Sequence, residues 1–513
     1  MKLEIGLIGT NPGWETVLQQ LGVTYKILEA EEIGKSTLEP AFMIIHNLSK
    51  IKDPEVIKDR IKSGGSILFE SVKYAAIFKR KIRYQRIKYL FPQSDSIFNN
   101  LGLIDFNTTF SIEKNKARKY LDKQLYIISE IIGEGFVTVL PFELNKVLND
   151  TRSCRLRFPA ERDELPSEIV SKVSKGKIRR LIQILLKGMY QQKELPFIQK
   201  WYWNSNRESC FSFRVDTDYC TTEQARELYA LCLEKGINGT WFIDTGSEDR
   251  IKDIYAGMMD QEIAFHCDRH RIFKDKATND KFITMGLDKL ALHNLSVSGY
   301  AAPFGEWNKS LAEVLAEKSF EYSSEFALNY DDLPFFPNVG KGYNVLQIPI
   351  HPISLGRLRR SHFSRSEMIQ YYKALIDRKL AEQEPIIIYH HPAHLHLDVF
   401  KEIFSYVNSL DLPKMNFEQL SVWWKFRDSI DLKAAFFENK LKLDSDDKVD
   451  YYIKISYKDQ YSILPFQNKI DLDKIEWKQE KLPVMGREHK DIRKWHWRDL
   501  LYNFESYKGK LKR

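Results

Sequence analysis

The stretch Gln261–His270, QEIAFHCDRH, decides the fold. Its apolar run Ile263-Ala264-Phe265 reads as a buried strand, and that strand ends in two histidines, His266 and His270, with Cys267 and Asp268 between them. Parallel α/β sheets place their chemistry in the loops just beyond the carboxyl ends of the strands. The expectation for this part of the chain is therefore an α/β architecture with a site at the strand ends.

Three further stretches have the same form. Cys210–Cys220, CFSFRVDTDYC, is a strand to Val215 that delivers Asp216 and Asp218. Two residues apart on an extended chain, these carboxylates point to one side. Gly299–Asn308, GYAAPFGEWN, leaves a strand through Pro303-Phe304-Gly305, and Pro385–Leu395, PIIIYHHPAHL, is a buried strand ending in His390 and His391. Most of the 12 histidines fall between His266 and His396, so they are concentrated where these strands end. A carboxylate with two imidazoles is a donor set suited to zinc or a similar divalent ion that keeps a position open for water.

In this order, the D-x-D, H-x-x-x-H, P-F-G and strand-to-His pieces of residues 205–425 resemble the polysaccharide deacetylase family, carbohydrate esterase family 4. The resemblance implies a distorted, often seven-stranded (β/α) barrel and a metal-dependent N-deacetylase. It makes Asp216 the general base, and Asp218, His266 and His270 the ligands of a divalent metal, zinc by preference. His391 is the implied general acid, with His390 as the alternative, because only one of two adjacent residues can face the site. A backbone N–H near Tyr219 is the implied donor to the oxyanion. Pro303, Phe304 and Trp307 are candidate substrate contacts, with core packing the competing reading for Phe304. His351, in QIPIHPISLG, ends another apolar strand and either lines the cleft or serves the structure. The chain departs from the family in two places. Cys267 stands where Ser or Thr is usual, and Ala301-Ala302-Pro303 lacks the arginine that orients the base. Arg214 and Arg269 are the candidates to replace it.

The rest of the chain frames this segment. With 513 residues, about three domains are expected. Residues 1–150 alternate strand and helix and read as a flavodoxin-like α/β domain, resembling the glutamine amidotransferase fold on pattern only. The first cysteine is Cys154, so no nucleophile of that kind lies inside it. Residues 151–204 read as a basic helical connector whose amphipathic helix packs on the next domain or touches anionic lipid. Residues 205–428 form the deacetylase-like domain. Residues 429–513 read as a small β-rich domain with a basic, tryptophan-rich tail that caps the structure or meets an acidic partner.

Composition narrows the function classes. A net charge of +8 spread over the whole chain argues against nucleic acid as partner. Five cysteines without a close pair argue against a disulfide framework. The start MKLEIGLIGTNPGW lacks the apolar core of a signal peptide, and the expected location is cytoplasmic. The expected activity is N-deacetylation of an N-acetylated sugar during assembly of a surface glycan precursor. Two other classes compete: a deacetylase-like module that binds glycan without turnover, and a related C–N hydrolase acting on a non-sugar amide. Oligomeric state is left open.

Overall fold

Seven short strands, most of them ending on a residue with reactive chemistry, form one parallel sheet. They are β1 (Phe211–Asp216), β2 (Thr240–Asp244), β3 (Glu262–Cys267), β4 (Gly299–Tyr300), β5 (Tyr322–Ser323), β6 (Leu346–Gln347) and β7 (Ile386–His390). Their order in the sheet is β6-β5-β4-β3-β2-β1-β7. Beyond β6 the chain stays extended. The Ile348 N–H donates to Ser323 O on β5 at 2.8 Å, and the His351 N–H donates to Ile387 O on β7 at 2.9 Å. The two edges of the sheet are thereby bridged, and it curls as a (β/α) barrel does.

The structure is a computed structural model, and it describes all residues except 30–41, 50, 52, 94, 95, 115, 117–119, 121, 247–250, 252, 253, 446–449, 482, 484–486, 488, 490, 512 and 513; beyond Phe504 only the helical backbone is described. The chain divides into two compact units, each assembled from three separate segments. The barrel unit comprises Thr151–Lys172, Arg207–Lys425 and Leu482–Arg513.

Side-chain alternation along β1 sorts the barrel. Phe213 faces outward onto the helix Leu397–Asn408, with ring centroids 5.2 Å from Phe400 and 5.0 Å from Phe404. Arg214 and Asp216 face the opposite way, and the Arg214 guanidinium lies 5.0 Å from the Phe242 ring and 5.6 Å from the Tyr389 ring. The helix after β1, Thr222–Lys235, starts with a reciprocal capping pair between Thr221 and Gln224 and ends at Gly236 with φ 60°. Thr221 therefore supplies the N-cap, a contribution of about 1 kcal/mol, and the aspartates of the D-x-D motif stay available to the site.

The other unit comprises Met1–Asp150, Val173–Asn206 and Phe426–Lys481. Its main sheet has six strands in the order Tyr25–Leu28, Ile5–Ile8, Phe42–Ile45, Ser66–Glu70, Gly135–Leu140, Ile128–Ile132. The first five are parallel, and the last pairs antiparallel across the turn at Gly133 and Glu134. The strand order places a topological switch between Ile5–Ile8 and Phe42–Ile45, as in doubly wound folds.

Two expectations need correction. Residues 151–204 are not a simple helical connector: Ser153–Arg157 and Ser167–Ser171 form an antiparallel pair in the barrel unit. The helix Lys175–Gln191 belongs to the other unit, where Ile178, Leu181, Ile182, Leu185, Leu186 and Met189 are buried. Its apolar stripe is thus covered by protein, which removes it as a lipid-facing surface. Residues 429–513 are likewise not a free-standing domain. Strand Tyr452–Tyr457 pairs with Phe197–Lys200, and the Leu3 N–H donates to Ala434 O at 2.9 Å. A short antiparallel strand set cannot bury both faces alone, and these strands complete the unit that contains Met1–Asp150. Among the described residues, no helix is long and apolar enough to cross a membrane.

Candidate metal and catalytic centre

The D-x-D motif splits its three residues between two sides of the turn after β1. The Thr217 hydroxyl donates to Phe242 O at 3.1 Å and accepts from the Asp244 N–H at 3.0 Å, which ties it to β2. Asp216 and Asp218 are thereby turned the other way, into the barrel mouth, where both are buried. Tyr219 follows in the left-handed region at φ 60°, and its exposed side chain brings the hydroxyl within 3.5 Å of His270 Nδ1.

His266 and His270 arrive from the end of β3. His266 Nδ1 lies 2.6 Å from Ala301 O, and a carbonyl only accepts, so Nδ1 carries the proton and Nε2 holds the lone pair. That Nε2 is 3.7 Å from Asp218 Oδ1, and His270 Nε2 is 3.4 Å from Asp218 Oδ2. Neither His266 Nε2 nor Asp218 Oδ1 has a hydrogen-bond partner, although both atoms are buried. Orphaned buried atoms of this kind are costly unless something else satisfies them. Tetrahedral donors bound at about 2.1 Å to a shared ion lie about 3.4 Å apart, close to both observed separations. The residues present therefore fit a divalent cation, and among the described residues theirs is the one group of three His, Cys, Asp or Glu side chains whose donor atoms all lie within 4.8 Å of one another.

The residues between the two histidines are held away from this centre. The Cys267 thiol is directed at Asp244 Oδ1, 3.7 Å away. Asp268 pairs with Lys289 and accepts from the Thr245 hydroxyl at 3.2 Å.

Asp216 is held by a clamp from its own strand. Arg214 Nε donates to Oδ1 at 2.6 Å and Nη2 to Oδ2 at 2.8 Å, while Nη1 donates to Ser324 O at 2.7 Å. Burial pushes the Asp216 carboxyl up, but the charge and hydrogen bonds of Arg214, together with the imidazoles of His266 and His391, hold the group below its ordinary value. Asp218 shows the same contest. Burial raises it, and the imidazoles of His391, His270 and His266 together hold it well below the usual carboxylate range. Burial lowers His266, against the pull of Asp216 and Asp218, which favours its neutral, electron-donating form.

The adjacent histidines at the end of β7 have parted. His391 Nε2 lies 3.5 Å from Asp218 Oδ1 and 3.9 Å from Asp216 Oδ2. His390 turns outward, fully buried, with its ring 4.6 Å from Phe400 and both ring nitrogens without a partner. Burial and the nearby His394 and His391 hold His390 well below its ordinary value, so it is a neutral core residue.

The candidate substrate contacts divide. Pro303 is buried and starts the turn that carries Phe304 at φ 57°, placing its half-buried ring 4.7 Å from the His270 ring. Phe304 thus borders the centre. No hydrogen bond or ring contact joins Trp307 to it; that side chain is half-buried, and its indole N–H has no acceptor. His351 is committed elsewhere. Its Nδ1 is 3.0 Å from Asp331 and its Nε2 is 3.0 Å from the Tyr371 hydroxyl, so the structural reading is the one it occupies. His394 is brought in without having been singled out: its ring lies 4.5 Å from His391.

No protein-family profile matches the chain, and no curated protein matches it. Among solved structures, it overlaps a provisionally named polysaccharide deacetylase from Mycobacterium smegmatis over 44% of this chain and 93% of that one, at 19% identity and a TM-score of 0.38. A family 4 carbohydrate esterase from Streptomyces lividans, in complex with acetate, overlaps 40% of this chain and 91% of its own at 15% identity and a TM-score of 0.29. A family 4 pseudoenzyme from Bacillus anthracis overlaps 42% of this chain and 66% of its own at 8% identity and a TM-score of 0.29.

Proposed function

We propose that the barrel unit is a metal-dependent N-deacetylase that hydrolyses the acetamide of an N-acetylated sugar, in the assembly of a glycan precursor. The observation that carries this reading is the convergence of Asp218, His266 and His270 beside an Asp216 already clamped by Arg214. Asp218, His266 and His270 would hold the divalent cation, zinc by the character of the donors. When bound, such an ion polarises the acetamide carbonyl and lowers the pKa of a nearby water.

The chain's own groups supply the proton transfers. Asp216, kept ionised by Arg214, takes a proton from the water as it attacks the carbonyl carbon. The clamp fixes the direction in which the carboxylate meets that water. A backbone N–H near Tyr219 is the proposed donor to the oxyanion. His391, next to both aspartates, gives a proton to the departing nitrogen as the C–N bond breaks. The products are acetate and a free amino sugar. Phe304, beside His270, is placed to lie against a sugar ring.

The stretch Ala301-Ala302-Pro303, without the family's arginine, is the feature that favours a binding module without turnover. The bidentate hold of Arg214 on Asp216 supports the reading with turnover, because it offers the carboxylate a comparable contact from another position. Acetate release from a panel of N-acetyl sugars tests the proposal. Asp216→Asn should keep the metal and lose about two to four orders of magnitude in rate. Zinc binding without hydrolysis of any sugar would instead favour the module, and amine products other than amino sugars would indicate a hydrolase of another amide.

A further inference from the structure

Over its described side chains, Trp497 to Phe504, the helix Trp497–Leu511 is amphipathic in the reverse of the usual sense. Its polar side faces its own unit. Asp499 pairs with Arg157 at 2.6 Å, Asn503 accepts from Arg155 at 2.8 Å, the Tyr502 hydroxyl donates to Arg360 O at 3.2 Å, and Arg498 pairs with Glu164. The apolar residues at positions i, i+3, i+4 and i+7 face solvent instead. Trp497 is 54% exposed, Leu500 59%, Leu501 49% and Phe504 57%, and Trp495 just before the helix is 72% exposed. Such a stripe normally faces a core, and a contiguous exposed apolar face marks an interaction surface.

Charge selects the partner. Residues 486–513 contain nine Lys or Arg against four Asp or Glu. Arg359 and Arg360 are exposed on the neighbouring helix Leu355–Arg360, and Arg360 and His362 border a concavity of about 500 Å³ together with Trp497, Arg498, Leu501 and Tyr502. A second copy of this chain, docking the same face, would set positive charge against positive charge. An anionic lipid surface matches the face in both respects: its headgroups answer the basic residues, and tryptophans are favoured at the boundary between headgroup and acyl chain.

We propose that the Trp495–Phe504 face seats the barrel unit on an anionic bilayer surface. The contact is peripheral, and it is independent of the chemistry assigned to the barrel mouth. Its location differs from the helix Lys175–Gln191, whose apolar side is buried.

The test is flotation of the full-length protein with vesicles of phosphatidylcholine alone or mixed with phosphatidylglycerol. Wild type should float with the mixed vesicles only, and release as salt is raised. Leu500→Glu combined with Leu501→Glu should weaken binding by about tenfold or more, at an unchanged melting temperature. If that variant melts early, Trp497→Gln alone gives the same reading. Failure of wild type to float, equal flotation of the variants, or a solution mass that falls from dimer to monomer in the variants would each overturn the proposal.

Discussion

Arg214 and Asp216, two residues apart on one strand, form a fully buried bidentate ion pair with N–O distances of 2.6 and 2.8 Å. Neighbouring side chains on a strand point to opposite faces, so only the i, i+2 relation lets a strand residue clamp another on the same side. The arginine that orients the proposed base therefore comes from the base's own strand, and its remaining nitrogen is fixed by Ser324.

Arg214→Met leaves the Asp216 carboxylate buried without its partner. In metal-free protein this should destabilise the fold by about 3–5 kcal/mol, whereas Arg214→Met with Asp216→Leu should recover a large part of the loss. Urea unfolding of the two variants checks it, and a single-variant cost below about 1 kcal/mol would show that the clamp is not what holds this carboxylate.

The two histidines after β7 should respond in opposite ways. His391→Ala should reduce turnover by about two orders of magnitude or more, as expected for removal of a general acid. His390→Leu should leave turnover in place and raise stability by about 1 kcal/mol, because it removes two buried ring nitrogens that have no partner. Steady-state rates and thermal melts on both variants decide the assignment, and loss of activity in His390→Leu alone would reverse it.

Glu262, near the start of β3, gives a pH-dependent signature. Burial pushes its carboxyl from 4.5 up to about 7, although Tyr322, Thr240 and the Glu418 N–H donate hydrogen bonds to it. Between those values the folded chain holds a proton that the unfolded chain has released. Stability from this group is therefore present at low pH and is lost as pH rises through about 7, by about 3 kcal/mol in all. Glu262→Gln should lack that component, so its stability relative to wild type should improve from pH 5 to pH 8. A difference that stays constant with pH would contradict it.

The parts legible in the sequence were local. The apolar strand exits at Asp216, His266 and His390 stand out because a short hydrophobic run followed by clustered polar donors needs no knowledge of the rest of the chain. Arg214 was legible only as one of two candidates beside Arg269, since an arginine inside an apolar strand shows its direction only once the barrel interior is known. His351 stayed undecided between cleft and structure, because its partners, Asp331 and Tyr371, are each 20 residues away and belong to no recognisable pattern. The discontinuous units were hidden because they depend on pairings such as Phe197–Lys200 with Tyr452–Tyr457, which no periodicity records.

The most direct measurement is the metal content of purified protein after dialysis, set beside that of Asp218→Asn, His266→Gln and His270→Gln. The account predicts one divalent ion per chain in wild type and in Asp216→Asn, and its loss in each of the three ligand variants while the fold is kept. Wild-type protein that takes up no divalent ion, or Asp218→Asn protein that retains a full equivalent, would contradict it.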